Sequence, residues 1–282
     1  MLKLLSTTTL LALSTSAVFA EGQPTMSGYG LTTDGASLVV FSDISAPSEA
    51  TKIELNGGTL DAIAYRPVTG ELIGFSKAGN VYVVDTTTGA LTDIKATFAP
   101  EVSMGDDAAV AFDFNNKIDA VRAVSSDGVN VVYFPTDFGG DKANSVLRFT
   151  DLAYAEGDAN QGATPMVFAN AYTNAVNGAK QDTTFQYALD SGLNALVSLA
   201  NNEGTLTTVA PLTLDGAPFD VTMAGGFDII SPAAGEDMAV ALLAIEGGET
   251  SGLYQIDLSS GALTLMGDTG MDSFSSFAAM MH

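Results

Sequence analysis

Gly79-Asn80-Val81-Tyr82-Val83-Val84-Asp85-Thr86-Thr87-Thr88-Gly89-Ala90-Leu91-Thr92 is the stretch on which the reading of this sequence turns. It recurs as Gly252-Leu253-Tyr254-Gln255-Ile256-Asp257-Leu258-Ser259-Ser260-Gly261-Ala262-Leu263-Thr264, and a degenerate copy runs Phe185-Gln186-Tyr187-Ala188-Leu189-Asp190. Each full copy is an alternating strand, an aspartate, a Thr/Ser-Gly turn and a second strand. Aspartate accepts hydrogen bonds from the turn backbone and glycine tolerates positive φ, so the motif is a β-hairpin. Asp85, Asp190 and Asp257 are then turn formers, and Tyr82, Tyr187 and Tyr254 pack between neighbouring sheets.

The outer strand of the hairpin sets a period. It recurs at Leu91, Leu147, Leu206 and Leu263, with spacings of 56, 59 and 57 residues. A second pair of strands precedes each hairpin, with first strands at Leu60–Tyr65, Val110–Phe114, Val167–Tyr172 and Gly226–Ile230. Four short strands per unit, repeated, predict an all-β protein, a β-propeller rather than a β-sandwich or β-helix. The ends complete the count. Tyr29-Gly30-Leu31-Thr32 reads as the second strand of a unit with no first strand before it, and Phe274–Met280 as a first strand with nothing after it. Joined, they make a fifth blade from both termini and remove an open edge.

The chain begins with Lys3, an uncharged stretch from Leu4 to Phe19, and Val18 and Ala20 at the −3 and −1 positions of a cleavage site. That pattern predicts a signal peptide over residues 1–20, with residues 21–282 as one exported propeller domain, periplasmic or secreted. Seven Ser and Thr residues dilute the segment too far for a membrane anchor. Of ten basic residues, Lys3 leaves with the leader, so nine face 33 acidic ones and the net charge becomes −24. Such a surface repels nucleic acid and anionic lipid. No cysteine is present, and a chain this long can build its core without disulfides.

Much chemistry is excluded. The single histidine is the last residue, His282, which removes His-dependent acid–base catalysis, Ser-His-Asp triads and His-rich metal sites. Without cysteine, thiol catalysis and thiolate metal sites go too. The segment Asp113–Asp119 fails as a calcium-binding EF-hand loop, because Lys117 and Ile118 stand where an oxygen ligand and a glycine belong. No cofactor is expected, and calcium held by several blades is the one metal the acidic inventory suits.

The residues also resemble a family of exported bacterial proteins, the domain of unknown function 4394 family, which has propeller-like repeats. The likeness is carried by Tyr65-Arg66-Pro67-Val68-Thr69-Gly70, Phe112-Asp113-Phe114-Asn115, Asp119 with Arg122, Gly128-Val129-Asn130, Ala171-Tyr172-Thr173-Asn174, Gly204-Thr205-Leu206, Gly226-Phe227-Asp228-Ile229 and Leu253–Leu258. The resemblance implies the fold and export, and no activity. Asn116, Ala120 and Val132 depart from the family pattern, which has Pro and two Arg at those places. That weakens an anion-binding role here.

The function expected from these residues is a non-catalytic binding or interaction module, monomeric, whose partner is a small polar ligand, calcium or a protein. Its alternative is a carboxylate-based hydrolase or lyase at the mouth of the channel, which would need two acids at a set separation. No catalytic residue is assigned. The candidate binding residues are Asp113, Asn115, Asp119, Arg122, Asn174 and Asp228, which stand at similar places near the ends of inner strands in three successive units.

Overall fold

Alternating apolar residues put one side chain in two on each face of a strand, so a sheet of this composition must bury both faces. Here each face packs against the next sheet. The computed structural model describes residues 25–282, and the leader expected over residues 1–20 lies outside them. Five antiparallel sheets stand around one axis as the blades of a propeller. Blade I runs outward from the axis as Phe274–Met281, Met26–Thr32, Ser37–Phe41 and Thr51–Glu54. Blade II is Ala62–Arg66, Glu71–Ser76, Asn80–Val84 and Leu91–Asp93. Blade III is Val110–Asn115, Ala120–Ser125, Asn130–Phe134 and Ser145–Arg148; blade IV is Val167–Tyr172, Gln186–Asp190, Ala195–Ala200 and Thr205–Pro211. Blade V is Val221–Ala233, Glu236–Ile245, Ser251–Ile256 and Ala262–Asp268.

Leu91, Leu147, Leu206 and Leu263 all lie on outermost strands, as the period requires. The degenerate copy is a correction. Gln186–Asp190 is the second strand of blade IV, paired with the inner strand, and Ala195–Ala200 is the third. Every strand of a blade alternates alike, so a strand ending in aspartate does not by itself say which hairpin it belongs to. Asp190 does form a turn, its Oδ1 accepting the Leu193 N–H at 3.2 Å.

The repeat's glycine has a tertiary reason. The segment leaving each outer strand pairs in parallel with the outer strand of the next blade: Asn56 with Ala90, Thr97–Phe98 with Ser145–Val146, Ala153–Tyr154 with Thr205–Leu206, and Thr213–Leu214 with Ala262–Leu263. Gly89 (φ +72°) and Gly261 (φ +68°) sit in the turns this segment crosses. A Cβ there would lie 2.1 Å from the Glu54 carbonyl oxygen and 2.5 Å from that of Pro211. Neither space nor backbone conformation admits a side chain.

Closure is as expected from the termini. Phe274–Met281 pairs with Met26–Thr32 from Met26↔Met281 to Thr32↔Phe274, making one blade from both ends of the ring. A hydrophobic cluster fills each junction between blades. At the I–V junction Phe41 meets Phe274 and Phe277 with ring centroids 6.1 and 6.3 Å apart, and at the II–III junction Phe75 meets Phe112 at 5.4 Å. No helix among the described residues is long and apolar enough to cross a membrane.

Candidate functional site

Because the five inner strands share one direction, the axis has two different ends: a starting face, where these strands begin, and a finishing face, where they end. The starting face is open. A cavity of about 480 Å³ lies there, framed by residues at the starts of the inner strands of blades I, II, III and V and by the turns between the second and third strands of blades I and II. Asp34, Asp61, Asp106 and Asp107 place four carboxylates around it, with Thr59 and Thr222 supplying hydroxyls and the exposed Met223 apolar surface. Lys77 is its one cation, and it is committed to structure. Its ammonium donates to the carbonyls of Asp106 (2.6 Å) and Ala108 (2.9 Å) and lies 3.4 Å from Asp61, whose other oxygen accepts the Lys77 N–H at 2.7 Å. Gly105 is tied by its N–H to Asp127 at 2.7 Å. The loop bearing Asp106 and Asp107 is thus pinned at both ends, while the two side chains stay exposed. The Thr32 hydroxyl and Ala36 N–H hold the Asp34 carboxyl below its usual value, so it stays charged.

The finishing face is closed. The loop of residues 173–185, between the first two strands of blade IV, crosses the axis and touches every other blade. Gly178 N–H donates to Pro67 O of blade II at 2.9 Å, and Asn177 Nδ2 to Met281 O of blade I at 2.7 Å. Gln181 N–H donates to Asn116 O of the blade III turn at 2.8 Å, and Ala175 N–H to Ser231 Oγ of blade V at 2.8 Å.

Under this cap sit two of the residues singled out from sequence. Asp113 accepts the Tyr172 N–H at 2.7 Å, joining blade III to blade IV. Asp228 accepts the Ala279 N–H at 2.6 Å and its neighbour Ile229 N–H at 2.7 Å, joining blade V to blade I. Both carboxyls line one cavity of about 10 Å³, whose other walls include Tyr65, Pro67, Ala175, Asn177 and Met280 and no cation. Burial pushes both pKa values up, that of Asp228 to about 7, and each raises the cost of charging the other. Asn170, two residues before Tyr172, is 1% exposed, and neither its Oδ1 nor its Nδ2 has a hydrogen-bond partner among the described residues.

The other four candidates separate. Asp119 (φ +58°) forms a bidentate pair with Arg66 of blade II, at 2.8 and 2.5 Å, and Asp137 joins at 2.7 Å. It does not meet Arg122. Arg122, buried, finds only neutral acceptors: the Tyr172 hydroxyl at 3.0 Å, Asn202 Oδ1 at 2.8 Å and Asn130 Oδ1. Asn115 reaches this group through Asn201 Oδ1, which also accepts the Tyr172 hydroxyl. Asn174 (φ +59°) anchors the cap, taking the Gly235 N–H at 2.7 Å and donating to Thr183 O at 2.9 Å. Sequence reasoning did not select Asp34, Asp106 or Asp107. Their one sequence signal is an acidic residue in a turn beside an inner strand, and acidic turns are common throughout this chain.

Two solved structures from Bacteroides thetaiotaomicron VPI-5482 are similar to the chain. One, an auxiliary nutrient binding protein, shares 14% identity at a TM-score of 0.42, covering 76% of this chain and 55% of its own. The other, a structural genomics protein of unknown function, shares 12% identity at a TM-score of 0.40, covering 86% of this chain and 50% of its own. The chain therefore spans about half the length of these structures. No curated protein matches it. Residues 38–278 match the model of the family described as Domain of unknown function (DUF4394), and this chain belongs to that family.

Proposed function

We propose that this chain is an exported, non-catalytic binding module that takes a polar neutral ligand or a cation in the cavity on its starting face. The observation that carries the reading is that cavity, about 480 Å³, open, and ringed by Asp34, Asp61, Asp106 and Asp107. It lies within the size range of small-molecule sites. Carboxylates accept hydrogen bonds from hydroxyl groups, and the exposed Met223 offers apolar surface to a sugar-like ligand. Anions are disfavoured, because the only cation of the cavity is already paired.

The test is a thermal-shift screen of neutral saccharides and divalent cations, since a ligand that binds only the folded state raises the melting temperature. A ligand should shift the wild type and lose its effect in Asp106→Asn/Asp107→Asn, whose exposed side chains leave stability unchanged. A panel without effect, or an equal shift in the double variant, removes this cavity as the site. Saccharide turnover abolished by the same variant would replace the binding reading with the carboxylate-hydrolase one. Export has its own check: the protein recovered from its host should begin at Glu21 by intact mass.

A further inference from the structure

Blades II to V share a feature at their outer edges. The chain arriving from the preceding blade lies parallel to the outer strand and donates to a carbonyl at its entry. Asn56 N–H reaches Gly89 O (2.8 Å), Thr97 N–H Asn144 O (2.9 Å), Ala153 N–H Gly204 O (3.0 Å) and Thr213 N–H Gly261 O (3.2 Å). In blades III and IV a second bond follows two residues on, from Ala99 N–H to Val146 O and from Ala155 N–H to Leu206 O, both 2.9 Å. Among the described residues blade I receives no such segment. Residues 269–273, which leave blade V, bond to Ser251 of their own blade and turn inward to the closing strand.

The outer strand of blade I, Thr51–Glu54, is entered in the same way as two of the others. A 3₁₀ turn, Pro47–Glu49, leads into it, as Gly140–Lys142 and Asn201–Glu203 lead into the outer strands of blades III and IV. Ala50 therefore stands where Asn144 and Gly204 stand, and Lys52 where Val146 and Leu206 stand. Leu55 N–H donates to Ala36 O within the sheet at 2.8 Å, so by alternation the Lys52 N–H and C=O face outward. Thr51 and Lys52 are exposed. The start of the mature chain cannot supply the strand. Thr25 O is held by His282 N–H at 3.0 Å, and the added position lies three strand spacings, ~14 Å, from the strand that Met26 begins. Residues 21–24 span ~14 Å at most, which leaves nothing to pair.

Charge selects the partner. Glu49 and Glu54 flank the edge with exposed carboxylates, Lys52 is already paired with Glu54 at 3.3 Å, and the whole chain is strongly acidic. We infer that the edge at Ala50–Lys52 is a strand-addition site for an extended, lysine- or arginine-rich segment of a partner protein, laid parallel to Thr51–Glu54. Backbone bonds to Ala50 O and Lys52 hold the segment, and the surrounding carboxylates favour its charge. The site lies on the rim of the ring and does not depend on a ligand in the open cavity.

The experiment measures fluorescence anisotropy of a labelled peptide, Lys-Thr-Lys-Phe-Lys-Thr-Lys, titrated with the mature chain. Its centre carries the residue types of Thr97 and Phe98, which fill this position in blade III. Two changes should each weaken binding by about tenfold or more. One is N-methylation of the three central residues of the peptide, which keeps its charge and blocks strand pairing. The other is Lys52→Pro, which removes an outward N–H and no bond of the native ladder. That variant also loses a positive charge, which alone would strengthen attraction to a basic peptide, so weaker binding reads lost pairing. Lys52→Ala should bind at least as tightly as wild type. Should Lys52→Pro fail to fold on thermal melting, the N-methylated peptide against wild type still decides. Equal binding by that peptide, by Lys52→Pro or by a peptide with Glu in place of Lys would overturn the proposal. So would self-association of the chain alone in sedimentation, lost in Lys52→Pro, which would give the edge to a second copy.

Discussion

Asp228 Oδ2 accepts the backbone N–H of Ala279 at 2.6 Å, so a side chain of the last complete blade holds the strand that closes the ring. The same device links other neighbours. Asp113 takes the Tyr172 N–H, and Ser276 Oγ takes the Ile63 N–H at 3.1 Å and donates back to Ile63 O. Inner strands have no strand on their axial edge, so these side chains satisfy backbone donors that would otherwise be buried without a partner.

The first prediction concerns pH. Burial pushes the pKa of Asp228 in the folded protein up to about 7, above the usual aspartate value of 3.8. Between those values the folded state binds more protons than the unfolded one, so this group's contribution to stability is full at low pH and falls as pH rises from about 4 to about 7. The limiting slope is ~1.4 kcal/mol per pH unit for one group. Asp228→Asn keeps an oxygen for Ala279 N–H and does not titrate. Urea unfolding from pH 4 to 8 should show wild type losing stability relative to the variant as pH rises. A constant difference would refute the assignment.

Gly226 gives the second. A Cβ at this position would lie 2.1 Å from the backbone nitrogen of Phe277, on the closing strand. Backbone cannot yield as a side chain can. Gly226→Ala should therefore cost at least ~2 kcal/mol, within the range for overpacked cores. Thermal melting would read this, and an unchanged melting temperature would mean the two inner strands are further apart.

Third, removal of residues 274–282 should abolish cooperative unfolding. Phe274 and Phe277 are 1% and 2% exposed, and each deletion of such a ring costs ~3–5 kcal/mol. Two of them, with the lost ladder to Met26–Thr32, match the whole stability of an ordinary domain, about 5–15 kcal/mol. Circular dichroism on heating would check this; a truncated chain with a wild-type transition would refute the closure.

Fourth, Arg66→Ala should destabilise by ~3–5 kcal/mol, because it leaves the buried Asp119 carboxylate without its guanidinium. Asp119→Ala in the same background should then add little. Near-additive losses in that double-mutant cycle would show the pair to be uncoupled.

Local chemistry determined the repeat. The Asp-Thr-Thr-Thr-Gly and Asp-Leu-Ser-Ser-Gly turns, the alternation of Val81–Val84 and the spacing of Leu91, Leu147, Leu206 and Leu263 depend on hydrogen bonds and φ angles within a few residues, so they are legible in a linear string. The count of blades followed, because two half-units at the ends can pair only with each other. Tertiary structure alone decided which residues meet. Asp119 stands three residues from Arg122, yet pairs with Arg66, 53 residues away, because neighbouring residues of a blade project toward opposite junctions. It also decided that one end of the axis is open and the other covered. That depends on the path of residues 173–185 across four other blades, and on turns of separate blades, before the inner strands of blades II and III and between the second and third strands of blade I, bringing Asp34, Asp61, Asp106 and Asp107 to one rim. Such proximities arise from the curvature of the ring, which no local spacing encodes.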